Sequence, residues 1–265
     1  MMNRFEITSQ PATNMERVSR AIGAASERTG VDFDYLMNQA RVESGFRADA
    51  KASTSSASGL FQFTQQTWLA TLKQHGAEHN YSWAAEAINV DKHGQYSVPD
   101  AQLRGQILEL RNQPEAASAM AAEFAADNGD VLATALGREP DAVDLYLAHF
   151  LGSGGATKFL KAWDSDPSQP AATLFPTAAN ANKAIFYGRG GAPRTLDEIR
   201  ERFKGKMGGD FSRPSFPPTT VATIKPRAQS APIQFRPIEP MPQKLSIEFA
   251  KSAYGRLAEL GRGNA

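Results

Sequence analysis

The sequence predicts an all-α protein with an extended proline-rich C-terminal tail. Three observations carry that expectation. Apolar residues recur at helical spacing through most of the chain up to Met207, whereas the period-2 alternation of half-buried strands is scarce. Capping residues and glycines bracket the periodic runs. Eight of the 16 prolines fall between Gly208 and Gln243, at 214, 217, 218, 226, 232, 237, 240 and 242, which marks an extended linker rather than a packed element.

Thr13 or Asn14 caps a first helix running to about Arg28, with Val18, Ala21, Ile22 and Ala25 on one face and Gly30 as its stop. Asp32 caps the next, in which Leu36, Ala40 and Glu43 share a face at i, i+4, i+7. A polar loop, KASTSSASG, follows. A third helix is expected from about Thr64 to His75, ended by Gly76. Ala- and Leu-rich helical patterns fill residues 101–125 and 141–163, with Pro114 at a helix start or break. Beyond the linker, LSIEFAKSAYGRLAEL spaces Leu245, Phe249, Leu257 and Leu260 for a short amphipathic helix, either packed on the body or docking a partner. The expected organisation is thus a body at 1–207, a linker at 208–243 and a terminal helix at 244–265.

With 265 residues and 41% hydrophobic content, the chain is long and apolar enough to bury a real core. Its formal net charge of +1 does not suggest a nucleic-acid partner. The charge is uneven, however. Up to Ile199 there are 17 Lys+Arg against 23 Asp+Glu, and from Arg200 on 12 against 5; these nets of −6 and +7 add to the +1 of the whole chain. A basic tail on an acidic body fits an anionic or protein partner for the tail. Cysteine is absent, which removes disulfides, thiolate chemistry and zinc–cysteine sites. No stretch is long and apolar enough for a transmembrane helix, and the first twenty or so residues lack the apolar core of a secretory signal, so a substrate outside the cytoplasm requires another export route. His75, His79 and His93 show no metal-ligand spacing with acids along the chain, and no metal or cofactor is expected.

Glu43 is the residue most worth weighing. It falls at the end of a predicted helix, on the apolar face. A carboxylate turned toward a core is costly unless it is paired or kept neutral. Spacing alone favours a Glu paired with Arg41, Arg47 or another base. The alternative is chemical: desolvation favours the neutral carboxylic acid, and a neutral acid at the lip of a cleft is what protonation of a glycosidic bond requires.

The surrounding run ARVESGFRADAKASTSSASGLFQFTQQTW decides between them. It resembles the signature of the bacterial lytic transglycosylases of the soluble-lytic-transglycosylase and goose-lysozyme superfamily: a Glu-Ser pair ending a helix, an aromatic, a polar loop, then Gly-Leu-apolar-Gln-apolar and a Thr. Glu43, Ser44, Phe46, Ala50, Gly59, Leu60, Phe61, Gln62, Phe63 and Thr67 stand at those positions. The loop from Ala50 to Gly59 is one residue longer than usual, and Ser56 replaces the customary Gly before Ala57. The third motif of the family, Ala-Tyr-Asn-Ala-Gly, is here YLAHFLGSGG, with His149 and Phe150 where Tyr and Asn are expected. This form resembles a subgroup with an Ala-His-Phe-Leu-Gly motif, and LFPTAANANKAIFY, from Leu174 to Tyr187, extends the likeness. Tyr146 and His149 share a helical face, so either can supply the polar group beside Glu43, although His149 reads equally well as a packing histidine.

The resemblance implies a lysozyme-like helical domain that binds peptidoglycan glycan strands. Glu43 would be the single catalytic acid and base, with substrate contacts from Ser44, Gly59, Phe61, Gln62, Tyr146 and His149; Phe61, Phe63 and Trp68 read as core residues too. It implies cleavage of the bond between N-acetylmuramic acid and N-acetylglucosamine without water, giving 1,6-anhydro products. Two-carboxylate glycosidases need a second acid; Asp49 is nearest, and no part of the pattern marks it. A hydrolytic muramidase and a silent glycan-binding protein on the same fold are the alternatives. The setting is periplasm or cell wall. The tail suits contact with a secretion or flagellar apparatus protein, and release as a phage-type lysin fits as well.

Overall fold

In the computed structural model, residues 13–53 and 55–208 are described, and they form a helical body. The expected linker beyond Gly208 and the terminal amphipathic helix lie outside the described residues.

Helix α1 spans Asn14–Thr29. Thr13 caps it through a reciprocal box with Glu16, and Gly30 ends it at φ 79°, a left-handed turn that favours glycine. Its buried face carries Val18, Ala21, Ile22 and Ala25, as the periodicity predicts. Helix α2, Phe33–Ser44, starts on the Asp32 cap and stops at Gly45. Ten of its 12 residues are buried, so it is the central helix of the body rather than an amphipathic surface one.

Helix α3 spans Gln65–His75 on a Thr64 cap. Its Trp68 is fully buried and donates from Nε1 to the carbonyl of Ile107 at 2.8 Å. The helix ends at His75 with Gly76 as its C-cap, as expected, but without a left-handed turn. Gly76 has φ −57°, and the chain runs through it into a 3-10 turn, Gly76–His79; Asn80, at φ 65°, makes the left-handed turn instead. A Cβ on Gly76 would meet Leu72, the carbonyl of Tyr81 and Ala85, so its small size serves packing.

Then come α4 (Ser82–Ala87) and a two-stranded antiparallel ribbon, β1 (Asn89–Val90) with β2 (Tyr96–Ser97). The 101–125 pattern is two helices: α5, Ala101–Glu109, and α6, Pro114–Leu136, with Pro114 in its first turn, where a missing N–H is harmless. The 141–163 pattern is likewise α7, Ala142–Leu151, and α8, Ser153–Ser165, broken at Gly152 with φ 76°. Short helices α9 (Ala171–Leu174), α10 (Pro176–Ala181) and α11 (Lys183–Phe186) lead to α12, Leu196–Met207.

Helix α12 closes the body over α2 and α7. Phe203, fully buried, packs edge-on against Tyr146 and Phe150 at ring separations of 5.1 and 5.3 Å. Asp144, also fully buried, receives Arg138 at 2.6 Å and Arg200 at 2.9 Å, which fastens α12 to α7. Asn38 donates to the carbonyl of Met207 and Arg41 to that of Lys206, tying the last turn of α12 to α2. Among the described residues, no helix is long and apolar enough to cross a membrane.

Candidate active site

Glu43 sits in the last turn of α2 and is only 1% exposed. His149, from α7, brings Nε2 to 3.2 Å from Glu43 Oε1. The other ring nitrogen, Nδ1, lies 2.8 Å from Gln39 Nε2. With the Gln39 amide donating, Nδ1 accepts and Nε2 carries the proton that faces Glu43. Gln39 and Glu43 are one helical turn apart, so α2 holds the imidazole at both nitrogens. Neither carboxyl oxygen of Glu43 accepts a hydrogen bond of good geometry among the described residues. A buried carboxyl group left that way calls for a reason, and availability for chemistry is one.

The arginines that offered the simpler reading are used elsewhere. Arg41 donates to Asn38 Oδ1 and to the carbonyl of Lys206, and Arg47 to the carbonyl of Ser44. Asp49 is exposed.

Two further ionisable groups feel the Glu43 charge. Burial, and secondarily that charge, raises the Tyr35 phenol. Burial holds the Lys206 ammonium down at about 8, while Glu43 works in the opposite direction. The site is closed in this conformation: with Glu43 buried, a saccharide reaches it only when neighbouring side chains move. The clefts lined by Trp83, Gln106 and Glu109 and by Asn180, Lys183 and Tyr187 do not border Glu43.

The other residues read from sequence fall in two groups. His149 is brought to Glu43 and faces its carboxyl group, and Tyr146 stacks on the His149 ring, centroids 5.7 Å apart and planes within 15°. Ser44 is buried next to Glu43, but its hydroxyl donates to the carbonyl of Ala40 at 3.0 Å. The Gly59–Phe63 turn is a structural bracket. Gln62, at φ 51° and 1% exposed, points inward and donates to the carbonyls of Ala50 and Gly59 at 2.9 and 2.7 Å. Phe61 is 1% exposed and belongs to the core, as do Phe63, edge-on to Trp68 at 5.3 Å, and Trp68 itself. Phe61 and Gln62 are thus as buried as Glu43 itself in this conformation.

Gly59 has a specific reason to be glycine. Its φ is 83°, and a Cβ there would stand 1.8 Å from the carbonyl oxygen of Arg111. Arg111 in turn donates to the carbonyls of Ser56 and Phe63 at 2.7 and 3.1 Å, so it ties the loop to the segment before α6. Burial lowers its guanidinium to about 10. Gln39, Tyr35, Arg111 and Lys206 are all absent from the sequence reading. Gln39 alone had a local signal, four residues before Glu43 on the same helix.

An all-helical body that buries one helix-terminal glutamic acid against an imidazole has the architecture of a lysozyme-like domain. Residues 20–90 match the family model of the transglycosylase SLT domain, a segment that contains Glu43, Ser44 and the Gly59–Phe63 turn. That segment is therefore similar to the lytic transglycosylases of the lysozyme-like superfamily. Members of that family are lyases acting on peptidoglycan. Tyr146 and His149 lie outside the matched segment.

Proposed function

We propose that the chain cleaves the β-1,4 bond between N-acetylmuramic acid and N-acetylglucosamine, with Glu43 as the single acid and base, and releases 1,6-anhydro-muramoyl ends. The observation that carries this reading is the partner of Glu43. It is an imidazole, 3.2 Å away, rather than a second carboxylate. A retaining or inverting pair needs two carboxyl groups across the scissile bond.

In the proposed sequence, protonated Glu43 gives its proton to the glycosidic oxygen as the bond to C1 of the muramoyl unit breaks. The acetamido group of the substrate stabilises the developing cation at C1. Glu43, now a carboxylate, takes the proton of the C6 hydroxyl as that oxygen bonds to C1. One proton leaves Glu43 and one returns, so the acid is regenerated without water. His149 Nε2–H faces Oε1 and supports the carboxylate stage, which leaves Oε2 for proton transfer. Gln39 fixes the ring, and Tyr146 backs it.

This activity belongs in the periplasm or cell wall. A secretion or flagellar apparatus protein bound through the tail is the proposed route there. The body at 1–207 is the proposed catalytic domain. Mass spectrometry of products from purified sacculi tests the chemistry. Anhydro ends support it; reducing ends indicate hydrolysis, and an intact polymer indicates glycan binding alone.

A further inference from the structure

At the C-terminal end of α3 lies a second cluster of chemistry-bearing side chains. His75, at the end of α3, and Glu78 and His79, in the 3-10 turn, meet Glu123 and Asp127, one turn apart on α6. His75, His79 and Glu123 are buried, Glu78 is exposed, and Asp127 is partly so. Linear spacing hides this arrangement, because its two halves are brought together only by the packing of α3 on α6.

The hydrogen bonds order the cluster. His75 Nε2 lies 2.8 Å from Asp127 Oδ2, and His79 Nε2 lies 2.7 Å from Glu123 Oε1. With Nε2–H donating to Asp127, the lone pair of a neutral His75 is on Nδ1. That nitrogen looks at Glu123 Oε2 across 3.5 Å, beyond a good hydrogen bond. Two electron-rich atoms face each other there, a conflict that a proton on Nδ1 or a metal cation between them resolves. The gap also has a suitable size: zinc bonds to nitrogen and oxygen of about 2.0–2.2 Å in a tetrahedron set the ligand atoms about 3.4 Å apart. Ligand atoms of His75, Glu78 and Glu123 all lie within 4.8 Å of one another.

We propose that His75 Nδ1, Glu123 Oε2 and the Glu78 carboxylate bind one first-row divalent cation, of which zinc is the type, with the fourth position open to water. Asp127 holds the back of His75 and His79 holds the second oxygen of Glu123, the outer-sphere support that metal-bound imidazoles and carboxylates ordinarily have. Exposed Glu78 gives the ion its way in. One imidazole, two carboxylates and no thiolate make the site borderline-hard, suited to zinc, nickel or manganese rather than to copper(I). The ion would pin α3 and the 3-10 turn to α6.

Calorimetric titration of the full chain, stripped with EDTA and dialysed, with zinc chloride near neutral pH tests this. One saturable ion per chain is expected, with a melting temperature that rises on loading. His75→Gln and Glu123→Gln should each weaken binding at least about 100-fold, and Asp127→Asn about tenfold. His93→Gln, at an exposed histidine away from the cluster, should leave it unchanged. Because a buried substitution can disturb folding, Glu78→Gln is the deciding variant; its side chain is exposed, and it should lose at least about tenfold. Absence of saturable binding in the parent, or equal affinity in the parent and Glu78→Gln, overturns the site.

Discussion

His149 Nε2 stands 3.2 Å from Glu43 Oε1, while His149 Nδ1 stands 2.8 Å from Gln39 Nε2. One helix thus grips both edges of an imidazole that another helix supplies. The ring has little freedom to turn, and the proton it presents to Glu43 is fixed by the amide behind it.

Loss of that imidazole should therefore fall on turnover rather than on substrate affinity. His149→Ala is expected to lower kcat on purified peptidoglycan roughly 10- to 100-fold with KM nearly unchanged, the scale of one charge-assisted hydrogen bond of about 1.5–3 kcal/mol. Gln39→Ala should act in the same direction and more weakly. A loss confined to KM would make His149 a substrate contact instead.

Gly59→Ala should destabilise the body by on the order of 3 kcal/mol, combining a strained positive φ with a backbone clash. The added methyl carbon would meet the Arg111 carbonyl at 1.8 Å, and backbone cannot swing away as a side chain can. Chemical denaturation of the two proteins measures it; a loss below about 0.5 kcal/mol would show that the loop relaxes freely.

Lys206 gives a pH dependence with a definite sign. Burial holds its ammonium at about 8, against 10.5 for an unhindered lysine. Between those values the unfolded chain binds more protons than the folded one, so this group makes stability rise with pH. Its penalty is fully present below about 8 and is relieved toward 10.5. Lys206→Met is thus expected to melt higher than the parent at neutral pH, with the gap closing as pH rises through that window. A gap independent of pH would assign the effect to packing alone.

Much of the scaffold was legible locally. Caps at Thr13 and Asp32 and the stop at Gly30 depend on residues a few positions apart, and sequence exposes such relations. Gly76 ends α3 as expected, but for its size, against Leu72 and Ala85, rather than for a left-handed turn. Phe61 and Gln62 show a different gap. A resemblance fixes which residue stands where, but Gln62 adopts a left-handed backbone that turns its amide inward onto Ala50 and Gly59. The His149 contact joins residues of α2 and α7, 110 positions apart in the case of Gln39. Sequence narrowed it to Tyr146 or His149; the fold sets His149 Nε2 3.2 Å from Glu43 and stacks Tyr146 on the His149 ring.

Removal of everything after Gly208 should leave melting and activity on soluble glycan nearly unchanged while reducing sedimentation with intact sacculi. The described body already closes with α12 docked on α2 and α7, and the basic sequence beyond it suits an anionic surface, an attraction that salt screens over about 8 Å at physiological ionic strength. Unfolding on truncation would move the domain boundary; unchanged sedimentation would remove the targeting role.

Glu43→Gln tests the central claim most directly. Glutamine keeps the shape of the side chain and its place beside His149 but cannot donate and recover the proton. Muropeptides released from purified sacculi by parent and variant are to be compared by mass spectrometry, with melting curves to show that the fold is retained. The parent should yield 1,6-anhydro ends, and the variant should fall by at least about 1,000-fold, within the range ascribed to general acid–base catalysis. Turnover of the variant within about tenfold of the parent, about 1.4 kcal/mol in the barrier, would contradict the assignment of Glu43 as the acid and base.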